Sequence, residues 1–298
     1  MATRTASLAP SVTTSAQIQA LAQFIEDTLV TTGGWVVTSD TGQTLPSALT
    51  NPAAANTKQG YRVYRMNDSL QATSPIFVRI DFGSGGAVSV FAIWITIGTG
   101  SNGSGTITGV IRAATQFGPN TNSGTALNCY GSADAGRVQL GMFANGNGLT
   151  FIFSIERSKD SSGNDTGTAI ILIRQAPEFD GTSGTSLSRI FYGITAGGTQ
   201  AAEETGLSYC LTTQNPSQTF GGDIGVGVII PFRGVAQQPG IGMVIVNSSD
   251  VGAQGNFAMS VYGTSHTFQQ MDANAVPQMT IQGGVGNDAN ARMCIRFD

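Results

Sequence analysis

Apolar residues at alternate positions constrain this chain more than any other feature, and one hairpin shows the pattern most fully. From Leu149 to Arg174 an apolar run (150–155) enters, a polar stretch with Gly163, Asn164 and Gly167 turns, and a second apolar run (169–173) leaves. Phe151, Phe153 and Ile155 alternate with Ile152, Ser154 and Glu156. A two-residue period belongs to a strand, because successive side chains point to opposite faces. Asp, Ser, Asn and Gly between two such runs are turn chemistry: they tolerate positive φ or cap their own backbone. The stretch predicts a long β-hairpin, with Glu156, Arg157 and Arg174 near its outer ends.

The remaining segments extend that reading. Residues 1–14 are rich in Thr, Ser and Ala and predict an extended arm. Residues 15–34 predict the one helix, opened by Thr14 and Gln17 as a capping box and closed by Gly33-Gly34. Ile18, Leu21, Ala22, Ile25 and Leu29 share one face of it. That stripe fits either the chain's own sheet or a neighbouring subunit, and Ile18, Leu21, Ile25 and Leu29 are the candidate interface residues. Residues 35–298 then predict a β-rich body.

Within that body, Ile76, Val78, Ile80 and Phe82 point inward, and Phe77, Arg79 and Asp81 outward, where Arg79 and Asp81 can form at best a weak exposed ion pair. Residues 88–97 are apolar on both faces and predict a central strand. Residues 40–60, 98–105 and 116–136 predict loops. Ala201 to Glu204 suggests one helical turn, and the loose composition near 176–188 suggests a lobe boundary. Gly225 and Gly227 leave one face of the 224–232 strand bare. The fold class expected is mainly β, an antiparallel β-sandwich or jelly-roll-like body with one N-terminal helix.

Composition then narrows function. Only 11% of the 298 residues are charged and the net charge is −4, with no Lys/Arg run, which argues against a nucleic-acid groove. Gly, Ser, Thr, Asn and Gln replace the missing charge, a surface suited to packing against neighbours. No apolar stretch reaches the roughly 20 residues of a membrane span, and the N-terminus carries no export signal core. Three scattered cysteines, Cys129, Cys210 and Cys294, form no CxxC pair and predict buried thiols of a reducing cytoplasm.

No catalytic constellation emerges. The single histidine, His266, lies among aromatic neighbours without a nucleophile elbow. Glu156 with Asp160 and Glu203 with Glu204 are carboxylate pairs expected in solvated loops or strand ends, not at a glycosidase centre. The loop 160–165 lacks the ligand spacing of an EF-hand, and 98–105 lacks the Lys-Ser/Thr of a phosphate cradle. Trp94 sits mid-strand and reads as core. The expectation is no enzyme, no catalytic residue, no cofactor and no metal.

Three patches carry a resemblance: GYRVYRMNDSLQATSPIFVRIDFGSG (60–85), WITIGTGSNGSGTITG (94–109) and FSIERSKDSSGNDTGTAIILIR (153–174). Together they resemble a family of structural proteins in the particles of tailed bacteriophages. The shared pattern is a tyrosine-arginine strand, a PIFVRIDFG strand, a glycine-rich GTG turn and a charged hairpin, spread over roughly residues 15–175. The resemblance implies a virion subunit without catalytic residues, tail-associated (tail, baseplate or collar) or on the head surface as a decoration protein. It implies assembly in the host cytoplasm, with other virion proteins and copies of itself as partners. A rival expectation is a binding module whose loops at 98–105, 119–136 and 158–167 recognise a host surface glycan or receptor.

Overall fold

The computed structural model describes residues 2–8, 13–68, 71–73 and 75–117, and beyond them the strands whose ranges follow. Strand β1 (Ala2–Leu8) precedes helix α1 (Ser15–Glu26), which continues as a π-helical segment over Asp27–Thr32. Strands β2 (Val36–Val37), β3 (Lys58–Arg65), β4 (Phe77–Ser84), β5 (Phe91–Ser101) and β6 (Ile107–Phe117) form a five-stranded antiparallel sheet in chain order. Strands β7 (Leu127–Asp134), β8 (Gly148–Lys159), β9 (Asp165–Arg174), β10 (Leu187–Ile194) and β11 (Gln200–Thr205) form a six-stranded sheet with β1 at its edge.

Two smaller sheets complete the described residues. Strands β12 (Leu207–Ser208), β14 (Ile230–Arg233) and β15 (Ala236–Gln237) make one. Strands β13 (Val226–Val228), β16 (Met243–Asn247), β17 (Asn256–Val261), β18 (Thr264–Gln270) and β19 (Ala291–Arg296) make the other. The protein is therefore mainly antiparallel β with a single N-terminal α-helix among the described residues.

Helix α1 starts where the Thr14 amide donates to the Gln17 side-chain oxygen at 2.9 Å, which satisfies one orphan N–H of the helix start. Its apolar stripe then turns onto the five-stranded sheet. Ile18, Ile25 and Leu29 are fully buried and Leu21 nearly so. They meet Val78, Ile80 and Phe82 of β4 and Ile93, Ile95 and Ile97 of β5 in one core. Opposed residues of an antiparallel pair share a face, and the register Ile80↔Ile95 and Phe82↔Ile93 sets these rows against the helix. Each such side chain contributes roughly 1.5–3 kcal/mol on burial. Helix α1 thus lies on this face of the five-stranded sheet. Ala6 and Leu8 of β1 pack against the same core from a partly buried position.

Several expectations change. Residues 201–204, read as a helical turn, lie in β11, where Phe191↔Glu203 and Ile190↔Glu204 pair with β10. Strand pairing here overrides the helix preference of Ala and Glu. Residues 127–134, read as loop, form β7 because β1 and β8 pair with both its edges. The central strand begins at Phe91, and Val88 stays outside it and exposed. The 1–14 arm is extended over Ala2–Leu8 and pairs within the chain, from Ala2↔Ala133 to Leu8↔Leu127. The 149–174 hairpin is formed by β8 and β9, from Gly148↔Ile173 to Lys159↔Asp165. The segment 176–188 joins β9 to β10, which are neighbours in one sheet; residues 175–186 are outside the described residues.

Candidate functional site

The four interface residues expected from the helix stripe are spent inside the chain. Ile18, Leu21, Ile25 and Leu29 are covered by the five-stranded sheet, so this stripe is not a surface offered to a neighbour. The bland alternative for that face is the one the structure adopts, for a physical reason: an apolar helix face pairs with the nearest apolar sheet face available.

The opposite face of the sheet holds the polar residues of the tyrosine-arginine and PIFVRIDFG strands. Register stacks them in rows. Val36, Arg65, Phe77 and Gly98 form one row across β2–β5. Val63, Arg79 and Thr96 form the next, and Tyr61, Asp81, Trp94 and Gln116 the third. The register slips between Lys58 and Gly60, where β3 carries a bulge. Lys58 reaches Asp81 at 3.3 Å, and Arg79 reaches it at 2.6 Å. Lys58 also lies over the Trp94 ring at 5.3 Å, and Arg79 over the Tyr61 ring at 3.9 Å.

The weak exposed pair expected for Arg79 and Asp81 is therefore corrected. Asp81 is only 2% exposed, held between two cations. The bulge supplies the second cation, and two loops meet over the neighbouring Tyr61 and Arg79. One loop is 38–44 and the other is the 102–106 turn between β5 and β6. Asp40 joins them: its carboxylate accepts from the Ser101 hydroxyl and from the Gly105 amide at 2.8 Å. The Thr41 amide donates to the Gly103 carbonyl at 2.8 Å. The Tyr61 hydroxyl reaches the carbonyl oxygens of Thr41 and Ser104 at 2.9 and 3.2 Å, and Arg79 donates to Gly105 O at 2.9 Å. Gly105 has φ +87°, and a Cβ there would strike the Tyr61 ring.

Burial pushes the Asp40 carboxyl up, but hydrogen bonds from Ser101, Thr38 and the Gly105 amide outweigh it and hold it below its ordinary 3.8. A depressed folded value means the Asp40 bridge is in place above 3.8 and is lost as pH falls through the lower, folded value. The Gly105 amide-proton resonance will accordingly titrate with a midpoint under 3.8. A midpoint above that value would mean that burial, not hydrogen bonding, dominates.

Beside these loops the outer face opens into a groove of about 450 Å³. Its floor is Val36, Arg65 and Phe77, and its walls are Thr38 to Asp40 on one side and Ser101 and Gly103 on the other. Neither Asp40 nor Arg65 stands out by local motif, so sequence reading missed both; the 98–105 turn was the nearest signal.

The other residues weighed from sequence do not converge. Trp94 is buried on the outer face, under Lys58, and Trp35 lies in the helix core. His266 lies in β18 opposite Met259, Glu156 in β8, and Glu203 and Glu204 in β11; Asp160 is outside the described residues. Among the described residues no cluster of three or more His, Cys, Asp or Glu could hold a metal, and no helix is long and apolar enough to cross a membrane. Comparison of the chain with protein-family models, curated proteins and solved structures finds no match.

Proposed function

We propose that this chain is a non-enzymatic structural subunit of a tailed-phage virion, tail-associated in the tail, baseplate or collar. It acts by self-assembly and by contacts to neighbouring virion proteins after synthesis in the host cytoplasm. The observation that carries the reading is the set of three motif patches at 60–85, 94–109 and 153–174. Their placement supports a scaffold role. The first two patches fall on β3–β6, and four of their polar side chains are engaged within the chain: Arg62 and Tyr64 with Glu26, Arg79 with Asp81, Tyr61 with the 102–106 turn. Side chains committed in this way stiffen a sheet and leave little free for bond-making chemistry.

Purified particles will contain the protein in several copies, read by mass spectrometry against the major capsid protein. Its absence from particles sinks the proposal. A label on the protein, imaged on intact particles, separates a tail position from head-surface decoration: label confined to the head would overturn the tail assignment and leave the virion role standing.

A further inference from the structure

We infer that the groove between loop 38–44 and the β5–β6 turn is a binding site for an acidic saccharide, a hydroxylated ring bearing a carboxylate. Arg65 stands on the groove floor, and its guanidinium has no hydrogen-bond or ion-pair partner among the described residues. The other arginines of the outer face and the core, Arg79 and Arg62, each hold a carboxylate. A planar fork of donors in a concavity matches a carboxylate bidentately.

The opposite end of the groove has the reverse polarity. Asp40 stays ionised there and already accepts from Ser101, Thr38, the Gly105 amide and its own backbone amide. A carboxylate offers about four lone-pair sites, so these donors fill it, and a ligand's hydroxyls meet the Ser39 and Ser101 hydroxyls of the walls instead. A second anion at that end would be repelled, whereas a neutral hydroxyl is not. On the floor, Val36 and Phe77 flank Arg65 in one row and present half-buried apolar surface to the C–H face of a ring. Anion acceptor site and apolar platform therefore share one groove floor, beside walls that carry the Ser39 and Ser101 hydroxyls. Its volume falls in the roughly 300–1,000 Å³ of small-ligand pockets.

The walls are also fixed before any ligand arrives. The Thr41–Gly103 and Asp40–Gly105 bonds tie one loop to the other, and Tyr61 and Arg79 tie both to the sheet. Ordering that is already in place does not have to be supplied on binding. This inference goes beyond the scaffold role and does not depend on it.

The test is calorimetric titration of the purified full chain with trigalacturonate, maltotriose and sodium acetate. Trigalacturonate is expected to bind with Kd near or under about 1 mM. Maltotriose, which lacks the carboxylates, and acetate, which lacks the ring, will bind at least about tenfold more weakly. Arg65→Gln will lose about tenfold or more of trigalacturonate affinity while keeping the urea midpoint of the parent chain. Ser39→Ala is the milder second variant on the groove wall and will weaken binding without touching the cation. No binding of trigalacturonate at about 10 mM overturns the site. So does equal affinity of Arg65→Gln and the parent, or maltotriose binding as tightly as trigalacturonate. Presence of the protein in particles is a separate measurement, so failure here leaves the virion reading untouched.

Discussion

Glu26→Ala will cost about 3–5 kcal/mol of stability, far more than the roughly 0–1 kcal/mol of a surface ion pair. Glu26 is the last residue of α1, and its carboxylate takes Arg62 bidentately: Nε to Oε2 at 2.6 Å and Nη2 to Oε1 at 3.0 Å. The two side chains are 16% and 10% exposed. The Tyr64 hydroxyl, fully buried, donates to the same Oε2 at 3.2 Å. Burial pushes the Tyr64 phenol well above its ordinary 10.0, and the neighbouring Glu26 charge adds to that, so it stays a donor throughout the neutral range.

Removing the carboxylate strands a guanidinium under the helix and a phenol beside it, and the penalty is that of an unpaired buried charge. In the parent chain Glu26 raises the Arg62 value against burial; without Glu26 the main counterweight to burial is gone, but a guanidinium is too basic to escape at neutral pH by losing its proton. The double variant Glu26→Leu with Arg62→Met will cost less than Glu26→Ala alone, because neither charge is left behind. Urea unfolding followed by the emission of Trp35, which shares the helix core, measures both variants against the parent chain. A cost under about 1 kcal/mol for Glu26→Ala would show that solvent, not the carboxylate, satisfies Arg62.

That pair marks where sequence reading stops. The inward row Ile76, Val78, Ile80 and Phe82 is legible because the two-residue period is local, and all four are buried as the alternation requires. The helix start is legible for the same reason: Thr14 and Gln17 are three residues apart. Glu26 and Arg62 are 36 residues apart, and Asp40 and Ser101 are 61 apart; nothing in local spacing joins them. The second cation on Asp81 follows from a bulge in β3, which has no period. The helix stripe was legible as apolar, but not as to what would cover it. Ala201 to Glu204 shows the opposite failure, where a correct local preference is overruled by a partner strand. The groove belongs to the long-range class as well, since its floor comes from β2, β3 and β4 and its walls from two loops.

Gly83→Ala will destabilise the protein by about 3 kcal/mol, the upper end of ordinary overpacking costs. A Cβ at Gly83 would run into the Thr57 carbonyl oxygen, with the Thr57 carbonyl carbon at 2.9 Å and the Lys58 Cα at 3.0 Å. These are backbone atoms, so no rotamer change relieves the clash. The Thr57 carbonyl is also pinned, since it accepts from the Ser84 amide at 3.0 Å, while the Ser84 hydroxyl donates to Ala54 O at 2.6 Å. Relief requires β3 to part from β4 at the bulge, where Lys58 pairs with Gly83. That movement draws Lys58 away from Asp81 and from the Trp94 ring, so the emission of Trp94 should change along with stability. Gly103→Ala is the contrast: its φ is +83° but nothing lies within 4 Å of the added carbon. It will cost only the roughly 1–2 kcal/mol of a left-handed backbone and leave Trp94 unperturbed. Equal urea midpoints for the two variants would mean that the strands are free to separate at the bulge, and the tight β3–β4 approach would no longer explain the glycine at position 83.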